Sequence, residues 1–112
     1  MDAKIQIAVN IIKREFAGVL SERGIAESVR LSPSRFGRRF KRETGQTFKA
    51  FLLAVCMTKA REMLLSDPTL PIKEVADKVG YKHRRMQAFT RDFKKYWGYP
   101  PSRCLVWFAQ AA

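Results

Sequence analysis

Apolar side chains recur every three or four positions along almost the whole of this chain, the spacing that lines one face of an α-helix. Ile5, Ala8, Val9, Ile12 and Phe16 predict an amphipathic first helix ending near Gly18. A short helix is expected after Ser21, with Ile25, Ala26 and Val29 on its apolar face. In "LSPSRFGRRFKRETG" the helix restarts: Ser32 suits the N-cap, Pro33 the first turn and Gly45 the stop. From Thr47 to Ser66 the periodicity runs unbroken through Phe48, Phe51, Leu52, Val55, Ala60, Met63 and Leu64, until "DPTLP" interrupts it. Pro71 opens another short helix bearing Ile72, Val75, Ala76 and Val79, and Gly80 ends it. A further helix anchored by Phe89 and Phe93 closes at Gly98, and a last one enters through Pro100 and Pro101. No stretch alternates with the period of a strand, so the expected fold is all-α with about seven helices.

Two blocks of this pattern repeat. "IAESV" at Ile25 matches "VADKV" at Val75, an offset of 50 residues, and "FGRRFKRETG" at Phe36 matches "FTRDFKKYWG" at Phe89, an offset of 53. The second copy therefore carries three more residues in the turn or at the start of its second helix. A Phe pair at i and i+4 is ordinary core spacing, but both copies share F-x-R-x-F-K-[RK]-x-x-G, with Arg, Lys and Gly at fixed offsets. Each copy reads as a short helix, a turn and a second helix rich in cations, the order of a helix-turn-helix. The expected division is residues 1–46 for the first helix and first motif, 47–66 for a central linker helix, and 67–112 for the second motif and C-terminal helix. A helix from 47 to 66 is ~30 Å long, close to the ~34 Å between successive major-groove faces on one side of DNA.

Charge narrows the function. The chain has 112 residues, 22 Lys and Arg against 10 Asp and Glu, and a formal charge of +12. Such an excess draws a protein to a polyanion, nucleic acid or an anionic membrane surface. No apolar run approaches the ~20 residues of a membrane span, and the charged N-terminus lacks the features of a signal peptide, which favours the cytoplasm. Cys56 and Cys104 stand far apart and His83 is the single histidine, so neither a metal site nor another cofactor is expected, and two free thiols are. No nucleophile, base and orienter cluster points to an enzyme. A non-specific or architectural nucleic-acid binder and a basic membrane-surface protein are the alternatives to sequence-specific DNA binding.

In a helix-turn-helix the second helix enters the major groove and its early residues touch base edges. With Phe36 and Phe40 inward, Ser34, Arg35, Gly37, Arg38 and Arg42 face outward; with Phe89 and Phe93 inward, Arg85, Met86, Gln87 and Arg91 do. Arg pairs bidentately with guanine and Gln with adenine, while Met offers apolar contact. Lys41, Lys94 and Lys95 suit phosphates, which fix register without carrying sequence information. Glu43 and Glu62 read as ordinary helix-surface acids, and Trp97 and Trp107 as core.

These residues resemble the DNA-binding domain of the AraC/XylS family of bacterial transcription regulators. The resemblance rests on "IAESVRLSPSRFGRRFKRETGQTFKAFL", "AREMLL", "IKEVADKVGY" and "FTRDFKKYWGYPPSR". It spans roughly residues 21–105 and includes the pattern F-x-R-x-F-K-x-x-x-G-x-x-P. It implies two helix-turn-helix units on a central helix, a monomeric isolated domain on an asymmetric promoter site, and activation through RNA polymerase. Carried over by position, it implies base contacts from Ser34, Arg35, Gly37, Arg38, Met86, Gln87 and Arg91. Backbone contacts are expected from Arg30, Arg39, Lys41, Arg42, Lys82, Arg84, Arg85, Lys94 and Lys95. The chain departs from the family in having Gly at position 37. It departs again in a longer, uncapped "KHRR" approach to the second reading helix, where Arg84 and Arg85 belong either to a loop or to an extra half-turn. The first unit is expected to read sequence better and the second to lean on phosphates. The sequence opens directly at its first helix, as would a complete single-domain regulator or the C-terminal part of a longer one.

Overall fold

The structure is a computed structural model that describes residues 2–18, 20–82 and 85–105. Among these residues six α-helices and one 3-10 turn follow in order: α1 (Ala3–Glu15), α2 (Glu22–Ser28), α3 (Pro33–Thr44), α4 (Phe48–Ser66), α5 (Ile72–Lys78), α6 (Met86–Trp97) and the turn Pro101–Arg103. No strand occurs among the described residues. The expected last helix begins as that 3-10 turn, and residues 106–112, Trp107 with them, lie outside the described residues.

The chain divides into two compact units, Met1–Val55 and Cys56–Ala112, with the boundary inside α4. In the first unit Ile5, Ala8, Val9 and Ile12 of α1, Ile25, Ala26 and Val29, and Phe36, Phe40 and Phe48 form one buried cluster, with Phe51, Leu52 and Val55 packed against it. Phe40 anchors it: its ring lies 5.4 Å from Phe36, 6.3 Å from Phe48 and 5.4 Å from Phe51, in tilted and edge-on pairings. In the second unit α4 continues with buried Cys56, Met57, Ala60 and Leu64, beside Val75, Ala76, Val79, Phe89, Phe93, Tyr99 and Cys104. Trp97 is half-buried rather than core. Its indole N–H donates to the Met57 carbonyl at 3.0 Å, and the Arg61 guanidinium stacks 3.7 Å from its ring centre.

Local chemistry sets the helix ends. Asp2, Ser21, Ser32 and Thr47 each offer a side-chain oxygen to an amide in the first turn of the helix that follows, supplying a partner the helix itself cannot. The last turn of α2 closes by bonds from Arg30 N–H to the Glu27 carbonyl (3.0 Å) and from Leu31 N–H to the Ala26 carbonyl (2.9 Å). α5 closes identically, from Gly80 to Asp77 (3.2 Å) and from Tyr81 to Ala76 (2.9 Å). Both are the paired bonds of a Schellman turn, which needs a left-handed residue at its corner. That residue is Arg30 at φ 59° in one copy and Gly80 at φ 100° in the other. The repeat seen in the letters is thus a repeat of backbone.

Candidate nucleic-acid interface

The two second helices can be compared position by position through their Phe anchors. Phe36 and Phe40 are fully buried, as are Phe89 and Phe93, with ring separations of 5.4 and 5.7 Å. Gly45 and Gly98 end them in left-handed conformations at φ 80° and 87°, their N–H groups donating to Lys41 and Lys94 carbonyls at 2.8 Å. On a helix of 3.6 residues per turn the side opposite each Phe pair carries positions 34, 38, 41 and 42 of α3 and 87, 91, 94 and 95 of α6. Ser34, Arg38, Lys41 and Arg42 are exposed, and so are Gln87, Arg91, Lys94 and Lys95. Six of these eight side chains are cationic and none is acidic.

Helix starts differ. Ser32 has an extended backbone (φ −66°, ψ 152°) and its hydroxyl accepts from Arg35 N–H. Arg85, at φ −93° and ψ 20°, supplies no side-chain cap to α6. It is a turn residue, so the lengthened approach adds loop at this position, not helix. Arg84 and His83 lie outside the described residues.

The flanks of the two helices are tied inward. The Arg39 guanidinium donates to the Asp2 carboxylate, and its Nε lies 3.8 Å from the Glu43 carboxylate. Asp2 also accepts from Lys4 N–H at 2.7 Å, and its own N–H donates to Glu43 at 2.6 Å. The Lys4 amide first, and then Arg39, hold the Asp2 carboxyl below the usual range, while partial desolvation opposes them. Glu43 is therefore no ordinary surface acid: its side chain is 17% exposed and joins α3 to the start of α1. At the position of α6 that matches Arg39 stands Asp92, whose carboxylate accepts from the Tyr81 hydroxyl at 2.6 Å. Burial, and then this bond, push the Tyr81 phenol well above its ordinary range.

A family model described as "Helix-turn-helix domain" matches residues 25–105. The chain is 33% identical over 93 residues to the Msm operon regulatory protein of Streptococcus mutans, covering 83% of this chain and 32% of that protein. It is 36% identical over 77 residues to the xylose operon regulatory protein of Escherichia coli K12, covering 69% of this chain and 19% of that protein. Among solved structures it is similar to the C-terminal domain of AraT, a response regulator from Geobacillus stearothermophilus, with a TM-score of 0.87, 33% identity, and coverage of 94% and 85% of the two chains. The chain belongs to the AraC/XylS family of transcription regulators. It spans a third or less of the length of these two curated relatives.

Within this AraC-family domain the candidate residues fall into three groups. Ser34, Arg35, Arg38, Gln87 and Arg91 are exposed, and Met86 is half-buried. Arg30, Lys41, Arg42, Lys82, Arg85, Lys94 and Lys95 are exposed too. Gly37 and Arg39 differ from both groups. Gly37 lies on the flank facing α2, where a Cβ would stand 3.6 Å from the Glu22 carboxylate, and Arg39 is engaged by two carboxylates. Sequence reasoning overlooked Thr90, which the 53-residue offset sets against Gly37, and also the Tyr81–Asp92 pair. No helix among the described residues is long and apolar enough to cross a membrane.

Proposed function

We propose that this AraC-family domain binds duplex DNA in a sequence-specific manner, with α3 and α6 as reading helices in neighbouring major-groove segments. One observation carries the reading: the matched faces opposite the two Phe pairs are exposed, cationic and free of carboxylates. Ser34, Arg35 and Arg38 on α3, and Met86, Gln87 and Arg91 on α6, are the side chains assigned to bases. Arg30, Lys41, Arg42, Lys82, Arg84, Arg85, Lys94 and Lys95 are assigned to phosphates. Arg39 is assigned instead to the tie between α1 and α3, and position 37 contributes backbone alone. With two reading units in one chain, the domain acts as a monomer on an asymmetric promoter site. The operon regulators it is similar to support a role in transcription control, which we assign as activation through contact with RNA polymerase.

The test begins with selection of a preferred site from random duplexes, followed by competition with scrambled duplex at equal salt. Scrambled DNA that displaces the protein equally well would establish non-specific, architectural binding instead. On the selected site, Arg38→Ala and Arg91→Ala should each cost about 1–3 kcal/mol and relax preference at one base pair. Lys94→Ala should weaken specific and random duplex alike and reduce the salt slope by about 0.9. An arginine whose loss is equal on both DNAs is a phosphate contact.

A further inference from the structure

We propose that Tyr81 and Asp92 form a relay that positions Arg91 for base reading. The inference rests on the function proposed above and adds residues that do not themselves touch DNA. Tyr81 sits in the turn between α5 and α6, where its N–H closes the last turn of α5. Its ring meets buried Phe89 edge-on at 5.4 Å, fixing the phenol against the anchored side of α6. From there the hydroxyl donates to one Asp92 carboxylate oxygen at 2.6 Å, leaving the other 3.5 Å from Arg91 Nε. The carboxylate is 28% exposed and the arginine 75%. The inner end of the relay is thus packed, and its outer end projects a guanidinium from the face assigned to DNA.

The arrangement matters because a free arginine has many rotamers, and ordering them opposes binding. A carboxylate fixed by the hydrogen bond from the Tyr81 hydroxyl restricts where the guanidinium paired with it can sit before DNA arrives. The Tyr81 ring has a second cation nearby, with the Arg85 guanidinium 5.9 Å from its centre, so one aromatic residue organises two cations around the uncapped start of α6. Among the described residues the first unit has no counterpart. Leu31 occupies the place of Tyr81, and Arg39 that of Asp92, with its guanidinium drawn to Asp2. The relay belongs to the helix that lacks a side-chain cap.

The experiment measures discrimination between the preferred base pair and its three alternatives at the position that Arg91→Ala relaxes, for Tyr81→Phe and Asp92→Asn in both Arg91 and Arg91→Ala backgrounds. Tyr81→Phe keeps the ring and removes the hydroxyl; near-UV circular dichroism and urea titration confirm the fold. Discrimination at that position should fall about three- to fivefold, the upper range for a largely exposed ion pair. Other positions and the salt slope should not change, and Tyr81→Phe should have no further effect once Arg91 is gone. Asp92→Asn should lose the same discrimination while binding all duplexes somewhat more tightly, because one carboxylate near phosphate is removed. Effects of Tyr81→Phe and Arg91→Ala that add, or a loss spread evenly over all sequences, would overturn the relay and leave the proposed function standing. If the parent protein shows no preference for its selected duplex, that function fails, and the relay with it.

Discussion

Arg30 and Gly80 occupy the same corner of the repeated turn, and the pair predicts opposite responses to substitution. An L-residue in the left-handed region costs roughly 1–2 kcal/mol. Arg30→Gly removes that strain but loosens the unfolded chain by about 0.4–1 kcal/mol, so the net expectation is a gain of ~0.5 kcal/mol. Gly80 at φ 100° is further from the left-handed well near 57°. Gly80→Ala should therefore destabilise the second unit by about 1 kcal/mol after the same unfolded-state correction. Arg30→Asn separates backbone from charge, because Asn tolerates this conformation far better than Arg. Urea titrations give the stabilities, read as midpoint shifts at constant slope. The DNA prediction runs the other way. Arg30→Gly and Arg30→Asn both remove a cation assigned to phosphate, so each should lose about fivefold in affinity at ~0.15 M salt, one phosphate's share of the salt dependence. Stability would rise or hold while binding falls, the trade expected when a strained residue is kept for its function. A destabilised Arg30→Gly together with unchanged DNA affinity would refute the reasoning, since the arginine would then be held for a contact within the fold.

Three further outcomes follow from capping and burial. Ser32→Ala should cost about 1 kcal/mol, because the hydroxyl caps Arg35 N–H; Arg85→Ala should cost nothing through capping, since its side chain makes no such bond, and equal losses in thermal unfolding would contradict the assigned helix starts. Burial raises the Cys56 thiol from 9.0 to about 11 and also lifts Cys104, Tyr81 and Tyr99. Over that range the folded state holds protons that the unfolded state has released, so stability should fall as pH rises from 9 to 11. Both thiols should react slowly with Ellman's reagent at pH 8 unless the protein is denatured, and rapid labelling would show that they are not buried.

Much of this was legible in the sequence because it is local. Phe pairs four residues apart mark a buried stripe whatever surrounds them, and Ser32, Pro33 and Gly45 name a helix start and stop through their own backbone and capping preferences. The left-handed corner at Arg30 was also within reach: the 50-residue offset sets it against Gly80, a residue chosen for positive φ. The ties were not legible. Arg39 and Asp2 lie 37 residues apart, and Trp97 finds its carbonyl acceptor 40 residues away. Spacing carries no information about which helix flanks will meet, so Glu43 read as a surface acid and Trp97 as core. Buried Cys56 and Met57 were missed for a related reason: α4 serves two cores in succession, and no single apolar stripe describes it.

The two units share a frame, and their difference at the flanking pair 39 and 92 bears on how each could read DNA. Position 39 carries a cation and position 92 a carboxylate, on helices with matching Phe anchors, glycine stops and outward faces. In the first unit the flanking Arg39 is neutralised by Asp2 and Glu43, which fixes α3 to α1, and among the described residues no carboxylate pairs with Arg38 beside it. In the second, Asp92 is held by Tyr81 and faces Arg91 directly. Orientation before binding reduces the side-chain entropy that a specific contact must overcome. A held arginine therefore gains more discrimination per contact than a mobile one, which still gains from the phosphate field wherever it points. The proposed relay, if it operates, would reverse the expectation that the uncapped second helix leans on phosphates while the first reads sequence. It would give the sharper arginine contact to α6, and a search over base pairs at both half-sites, scored by the loss on Arg38→Ala against that on Arg91→Ala, tests this; equal losses would refute it.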